Sequence, residues 1–401
     1  MALQDAAIRL ATKAAPLKEE LLHKFHDRAP VYDRENRFFS EDFEDLRAAG
    51  YFKAAAPLEF GGGGLTLPDI LREQARLAYH APPTALAVNM HLYWVGTAAY
   101  LWRHGDHSTD WILEEAAAGR IFAAGHGEPG NDVGLAGSNV EARPTGDGGY
   151  SFHGRKIFTS LSPVWDWLGV HGLDSSDPAN PRIVHAFIRR EDPGHHTVET
   201  WDTLGQRATR SDDTVLDGVV ARREHVTRVL PAGPPADPFI DGIISSAVLP
   251  IGAVYYGIAR RAFDIAVEGA RQRVSPALGG RTYAHHPQTQ VEIAKASVEL
   301  DSIWAYLDRV AVEWVQGVDH GALWPTKLLG AKQHAVDGAR RVVDRATKVA
   351  GAQSLTKRSE LERLTRDVRS GPFHPPNSDA THDLIGQIHL GVFPPVAQAA
   401  E

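Results

Sequence analysis

Cysteine is missing from the chain altogether, and that absence removes disulfides, thiolate nucleophiles, Cys-ligated zinc and iron–sulfur clusters from consideration. Histidine is then the only soft metal ligand left, and its 20 copies scatter. His104 and His107 fall at a Gly- and Asp-containing helix end, while His195-His196 and His285-His286 sit beside Pro and Gly in what read as loops. None forms a His-Glu-x-x-His or comparable spacing, so no metal site is expected. Basic residues are outnumbered by acidic ones, 42 to 50. The formal net charge is −8 at pH 7, with no block of Lys and Arg, which argues against nucleic acid or an anionic membrane as a partner. No charged-then-apolar leader opens the chain, where Met1 to Ala14 reads as a mildly amphipathic helix, and no apolar run approaches membrane-spanning length. Cytoplasmic residence is the expectation. No nicotinamide-binding fingerprint is visible either.

What is present suffices for a large core: 43% hydrophobic and 23% charged residues over 401 positions, a length for two or three domains. Up to about Arg120 apolar residues recur at three- and four-residue steps (Phe39, Phe43, Leu46; Ile70, Leu71, Ala75, Ala78), a helical period. From Ile121 to about Val229 the texture changes to short alternating runs, Gly149–Gly154, Arg182–Ile188 and Thr214–Val220, between Gly, Asp and Pro, which are strand signals. The Pro- and Gly-rich stretch Pro231 to Pro238 reads as a linker. Three long Ala-, Leu- and Val-rich helical patterns follow, over Phe239–Val274, His286–Val315 and Leu323–Val349, and fit an antiparallel bundle. The expected organisation is α+β: helices over residues 1–120, strands over 121–235 and helices over 236–401.

Several motifs make this order specific. Pro57-Leu58-Glu59-Phe60-Gly61-Gly62-Gly63-Gly64 is a glycine-rich loop that, alone, is a surface turn as readily as a phosphate cradle. His126-Gly127-Glu128-Pro129-Gly130-Asn131-Asp132 opens the β region, and Asp147-Gly148-Gly149-Tyr150-Ser151-Phe152-His153-Gly154-Arg155-Lys156-Ile157-Phe158-Thr159-Ser160 runs along a strand. Leu204-Gly205-Gln206-Arg207-Ala208-Thr209-Arg210-Ser211 precedes its last strands. Arg273, Gly351-Ala352-Gln353 and the Arg363, Arg366, Asp367 helix complete the set. Over nearly the whole chain these resemble the acyl-CoA dehydrogenases. The resemblance implies an N-terminal α-helical domain, a middle β-barrel and a C-terminal four-helix bundle, with FAD as cofactor and a homodimer or homotetramer sharing it across an interface. By position, it assigns Phe158 beside the flavin ring, Ser160 as hydroxyl partner of the flavin N5, Glu128 and Gly130 in the flavin-contacting loop, and Arg273, Gly351 and Asn377 as further cofactor-binding residues.

The resemblance breaks at the chemistry. Where the family reads Tyr-Glu-Gly-Thr and its Glu removes the substrate's α-proton, this chain has His374-Pro375-Pro376-Asn377, and a general base needs a proton-accepting side chain. The other position used by some members is Ala247. Arg366-Asp367-Val368-Arg369 followed by Phe373-His374-Pro375 instead resembles the branch of flavin-dependent monooxygenases that includes dibenzothiophene monooxygenase. That likeness implies His374, His91, Ser160 and Ser162 as catalytic candidates, around a flavin C4a-hydroperoxide steadied near N5 by Ser160 and protonated through His91 or His374. The plainer reading of His91 is a satisfied core histidine beside Tyr93 and Trp94. A monooxygenase would draw on a flavin reductase; the alternative, an acyl-CoA dehydrogenase with a non-standard base such as Asp241, Asp379 or Asp383, would pass electrons from a CoA thioester to an electron-transfer flavoprotein. A homologue that has lost FAD and catalysis is the third reading.

Overall fold

The computed structural model describes residues 16–131, 134–234 and 236–393; the helix expected over Met1 to Ala14, and Asp132, lie outside them. Among the described residues five α-helices come first: α1 (Glu19–Glu35), α2 (Ser40–Ala48), α3 (Leu67–His80), α4 (Pro82–Arg103) and α5 (Asp110–Ala117). Their starts follow from local chemistry. Thr66 and Asp69 close a capping box at the head of α3, and Pro82 supplies the first turn of α4, where a missing N–H costs nothing. Apolar on all sides, α4 is buried along most of its length, as expected of a helix with no solvent face.

Eight strands follow among the described residues: β1 (Phe122–Gly125), β2 (Glu141–Pro144), β3 (Tyr150–Lys156), β4 (Trp167–Asp174), β5 (Arg182–Arg189), β6 (His195–Val198), β7 (Asp213–Ala221) and β8 (Val226–Pro231). They form one sheet in the order β6-β7-β3-β2-β4-β5-β8, with β1 pairing parallel to β4. The pairs β2/β3, β3/β7, β4/β5, β5/β8 and β6/β7 are antiparallel. His195 and His196 therefore belong to a strand: the Pro and Gly beside them end the preceding turn, and His196 pairs with Val215. The sheet is docked on α4 by Trp94, whose indole N–H donates to the Ala123 carbonyl at 3.0 Å. Gly169 of β4 lies so close that a Cβ there would sit 2.2 Å from the Trp94 ring.

The chain then returns to helices: α6 (Pro238–Gln272), α7 (Pro287–Val315), α8 (Trp324–Ala350), α9 (Glu360–Asp367) and α10 (Ser378–Leu390). Asp237 caps α6 by accepting from the Phe239 N–H, and the imidazole of His286 does the same for α7 through Gln288. The helix α6 packs against α3, α4, α7 and α8, and α10 against α8. One expectation needs correction here. By length and composition α6 is apolar enough to cross a membrane, but 83% of that window is buried inside the fold; it is hydrophobic because other helices surround it on every side.

Candidate active site

The turn after β3 carries Phe158, Thr159, Ser160, Leu161 and Ser162. Phe158 and Leu161 have φ of +60° and +67°, a left-handed geometry that bulky side chains adopt at a cost of roughly 1–3 kcal/mol. Backbone bonds to the strand leading into β7 hold it: Thr159 N–H to Asp212, Leu161 N–H to Thr209 and Ser162 N–H to Arg210, at 3.2, 3.3 and 3.3 Å. The strained backbone turns the Phe158 ring outward, 62% exposed, with its edge toward Trp201. Ser160 is buried but for a small opening, and its hydroxyl lies 2.7 Å from that of Ser211, which lies 2.8 Å from that of Thr209. Ser162 points away from this chain and donates to the Asp212 carboxylate at 2.9 Å. Asp212 also accepts from two backbone N–H groups and the Arg210 guanidinium, so Ser162 is tied into the turn's framework.

The other segment with expected site residues runs from Arg366 to Asn377. Arg366 grips Asp33 of α1 with both terminal nitrogens, at 2.8 and 2.6 Å, and donates to the Leu204 carbonyl. The buried Asp367 accepts the Gln206 N–H at 2.6 Å, and burial raises its carboxyl to about 6. Gly205 makes this possible: a Cβ there would fall 2.4 Å from the Arg366 carbonyl. The Leu-Gly-x-Arg loop and the Arg-Asp helix are thus locked together. Beyond them His374 Nε2 meets the hydroxyl of Tyr255, on α6, at 2.7 Å. Burial, aided by the nearby Lys332 ammonium, draws His374 down to about 3, so the imidazole is neutral near pH 7. Burial also pushes the Tyr255 phenol well up, leaving a neutral hydroxyl–imidazole pair. Lys332 of α8 is fully buried and donates to the carbonyls of His374 and Pro376 at 3.0 and 2.5 Å. That burial lowers its own pKa to about 8.

Other expected site residues are engaged elsewhere. His91 is fully buried in α4 with both ring nitrogens used: Nε2 lies 2.6 Å from the Phe52 carbonyl and Nδ1 accepts the Phe122 N–H at 3.0 Å. This bonding fixes the Nε2–H tautomer, and no ring nitrogen is left for a proton transfer. Glu128 turns inward and pairs with the buried Lys156, while its oxygens also accept from Ser138 and the Asn139 N–H at 2.6 Å each. Asn377 caps α10 through a 2.9 Å bond from the Ala380 N–H. Gly130 is exposed with φ of +70°. Arg273 and Gly351 are brought together: the guanidinium donates to the carbonyls of Ala350 and Val349 at 2.5 and 3.1 Å, and lies over the Tyr283 ring. Its buried Nε has no hydrogen-bond partner among the described residues.

Four participants carried no assigned role in the sequence. Tyr255 was visible as an aromatic on α6, without a face; Lys332 is one lysine among many until its burial is known; and Ser211 with Thr209 stood in a motif with no role attached. A buried imidazole group beside Lys156, formed by His126, His171 and His185 with ring centroids 5.3 and 5.8 Å apart, had no spacing signal, because its members come from β4, β5 and the segment just after β1.

Residues 249–378 match the family model described as acyl-CoA dehydrogenase, C-terminal domain. Over most of its length the chain is 31% identical to YdbM of Bacillus subtilis (strain 168), an acyl-CoA dehydrogenase by name, across 371 residues that cover 91% of this chain and 93% of YdbM. The chain belongs to the acyl-CoA dehydrogenase superfamily. The expected α+β fold of that superfamily is the one it has, and by membership it is a flavin-dependent oxidoreductase. This superfamily member is also 30% identical to L-evernosamine nitrososynthase of a Micromonospora species, over 361 residues covering 88% of this chain and 85% of that one. The crystal structure of the nitrososynthase from Micromonospora carbonacea var. africana superposes with a TM-score of 0.83 at 26% identity, covering 96% of this chain and 99% of that chain.

Proposed function

We propose that this member is an oxygenase-type enzyme, which takes a reduced flavin and O2 and oxidises a small molecule. The observation that carries the reading is the His374–Tyr255 pair, 2.7 Å apart, at the segment where the superfamily's dehydrogenases keep a glutamate. An imidazole drawn down to about 3 is a poor acceptor for a carbon-bound α-proton, since effective general bases titrate near the working pH. As a neutral hydrogen-bonding pair it suits a substrate hydroxyl or amine instead. The residues present suit a flavin: the outward Phe158 ring offers an apolar face, Ser160 a hydroxyl at its edge, and the unpartnered Nε of Arg273 a donor for phosphate. Bound reduced flavin supplies the electrons that activate O2. FAD is the proposed flavin, held also by backbone at Gly130 and Gly351, and delivered by a separate flavin reductase. The similarity to a nitrososynthase puts amines first among candidate substrates. Homodimeric or homotetrameric assembly in the cytoplasm, with the three segments as separate domains, completes the reading.

The likeness to YdbM keeps acyl-CoA dehydrogenation as the second reading. Its base would have to come from elsewhere: Asp379 and Asp383 lie exposed on α10, while Asp241, in the first turn of α6, has its pKa raised by desolvation, the direction that suits a general base. The test supplies the purified protein either with reduced flavin, O2 and a panel of amines and phenols, or with acyl-CoA thioesters and an electron acceptor. Oxygenated product in the first arm supports the proposal. Turnover only in the second moves the enzyme to the dehydrogenases, and colourless protein that binds no flavin supports the non-catalytic reading.

A further inference from the structure

The hydroxyls behind the flavin-facing turn form a chain whose direction can be worked out. Thr209 Oγ1 lies 2.9 Å from the Gln206 carbonyl oxygen, and a carbonyl can only accept, so the single Thr209 proton goes there. The 2.8 Å contact between Thr209 and Ser211 must then use the proton of Ser211. By the same step, the 2.7 Å contact between Ser211 and Ser160 must use the proton of Ser160. All three hydroxyls are buried or nearly so, which makes an unmade bond among them costly and keeps the chain in one direction. The far end is anchored as well, because Gln206 is held by its own N–H on Asp367.

We infer that Ser160 presents a lone pair, not a proton, to the flavin edge, so that the site favours reduced flavin, whose N5 carries a hydrogen to donate, over oxidised flavin, whose N5 can only accept. Thr209 and Ser211 are positioning residues in this arrangement, since they set the direction of the Ser160 proton without reaching the cofactor. The inference rests on the proposed flavin reading and deepens it: the protein selects the redox form that a reductase delivers. A relay ending in a side-chain amide or a water could turn round. One ending on a backbone carbonyl cannot.

The experiment is an anaerobic titration of the full-length protein with FAD and FMN, each oxidised and each chemically reduced, for the native chain and for Thr209→Val, Ser211→Ala and Ser160→Ala. The native chain should bind the reduced form at least about tenfold more tightly, an increment expected of one well-made hydrogen bond. Thr209→Val keeps the Ser160–Ser211 contact but frees its direction, so the ratio of reduced to oxidised affinity should fall by about tenfold. The midpoint potential of the bound flavin should drop with it by about 30 mV. Ser211→Ala should do the same, and Ser160→Ala should remove the preference. Flavin bound with an unaltered ratio in Thr209→Val and Ser211→Ala overturns the relay and leaves the functional reading standing. No binding of either redox form by the native protein overturns both.

Discussion

The surroundings of His91 and of His374 are a useful pair, because in both burial draws a histidine well down, to about 4 and about 3. At His91 the partners are two backbone groups, the Phe52 carbonyl and the Phe122 N–H, so the ring acts as a cross-link between the first helical layer and the sheet. At His374 the ring nitrogen meets a tyrosine hydroxyl, and it is the backbone of the residue, not its ring, that Lys332 holds. A depressed pKa alone therefore does not mark a functional histidine. What separates the two is whether the ring's bonds are to main chain, where exchange would leave buried groups unpaired, or to a side chain that can trade partners.

The contrast is sharpest in stability. His91→Ala removes a filled volume and leaves a carbonyl and an N–H buried without partners, which should cost about 3–5 kcal/mol in denaturant unfolding, while the protein that remains folded turns over normally. A loss under about 1 kcal/mol would show that the cross-link is not what holds the two layers.

Acid should expose the same residue. The folded imidazole titrates near 4 and an unfolded one near 6.5, so the unfolded state binds more protons between those values. The contribution of His91 is fully present above pH 6.5 and lost as pH falls toward 4, on the order of 3 kcal/mol in all. Unfolding curves across that interval should steepen in the native chain and flatten in His91→Gln. Parallel curves would contradict the pairing.

His374→Ala is expected to reverse the pattern, with product formation down at least about a hundredfold and flavin affinity and unfolding midpoint nearly unchanged. Loss of flavin or of the fold would make His374 structural like His91. Smaller again is Lys332→Met, which frees the two carbonyls of the segment and should lower turnover by about tenfold while leaving flavin affinity alone; unchanged turnover would mean that the segment holds its shape without the lysine.

Much of the fold was legible from periodicity. The patterns over His286–Val315 and Leu323–Val349 became α7 and α8, at Pro287–Val315 and Trp324–Ala350, because long amphipathic helices carry their signal in every turn. The short strand β6 was missed, since four residues beside Pro and Gly carry too little alternation to outweigh the turn signal. Local geometry was legible where a motif fixed the backbone, as in the turn that carries Phe158 and Ser160. Contacts were illegible where the decisive partner lies far along the chain: Tyr255 is 119 residues from His374 and Lys332 is 42, and no local pattern records such a meeting. Glu128 shows the converse, since its motif was plain but its carboxylate turned to Lys156, a choice made by burial and charge.

The central claim, that this fold has been turned from removing hydride to using oxygen, is tested most directly by rapid mixing of the anaerobically reduced, flavin-loaded protein with oxygenated buffer, with and without a candidate amine, followed by absorbance. The account predicts a transient band belonging to neither reduced nor oxidised flavin, whose decay yields oxygenated amine. Reoxidation in a single slow phase under every substrate tried, together with fast flavin reduction by an acyl-CoA thioester, would contradict it.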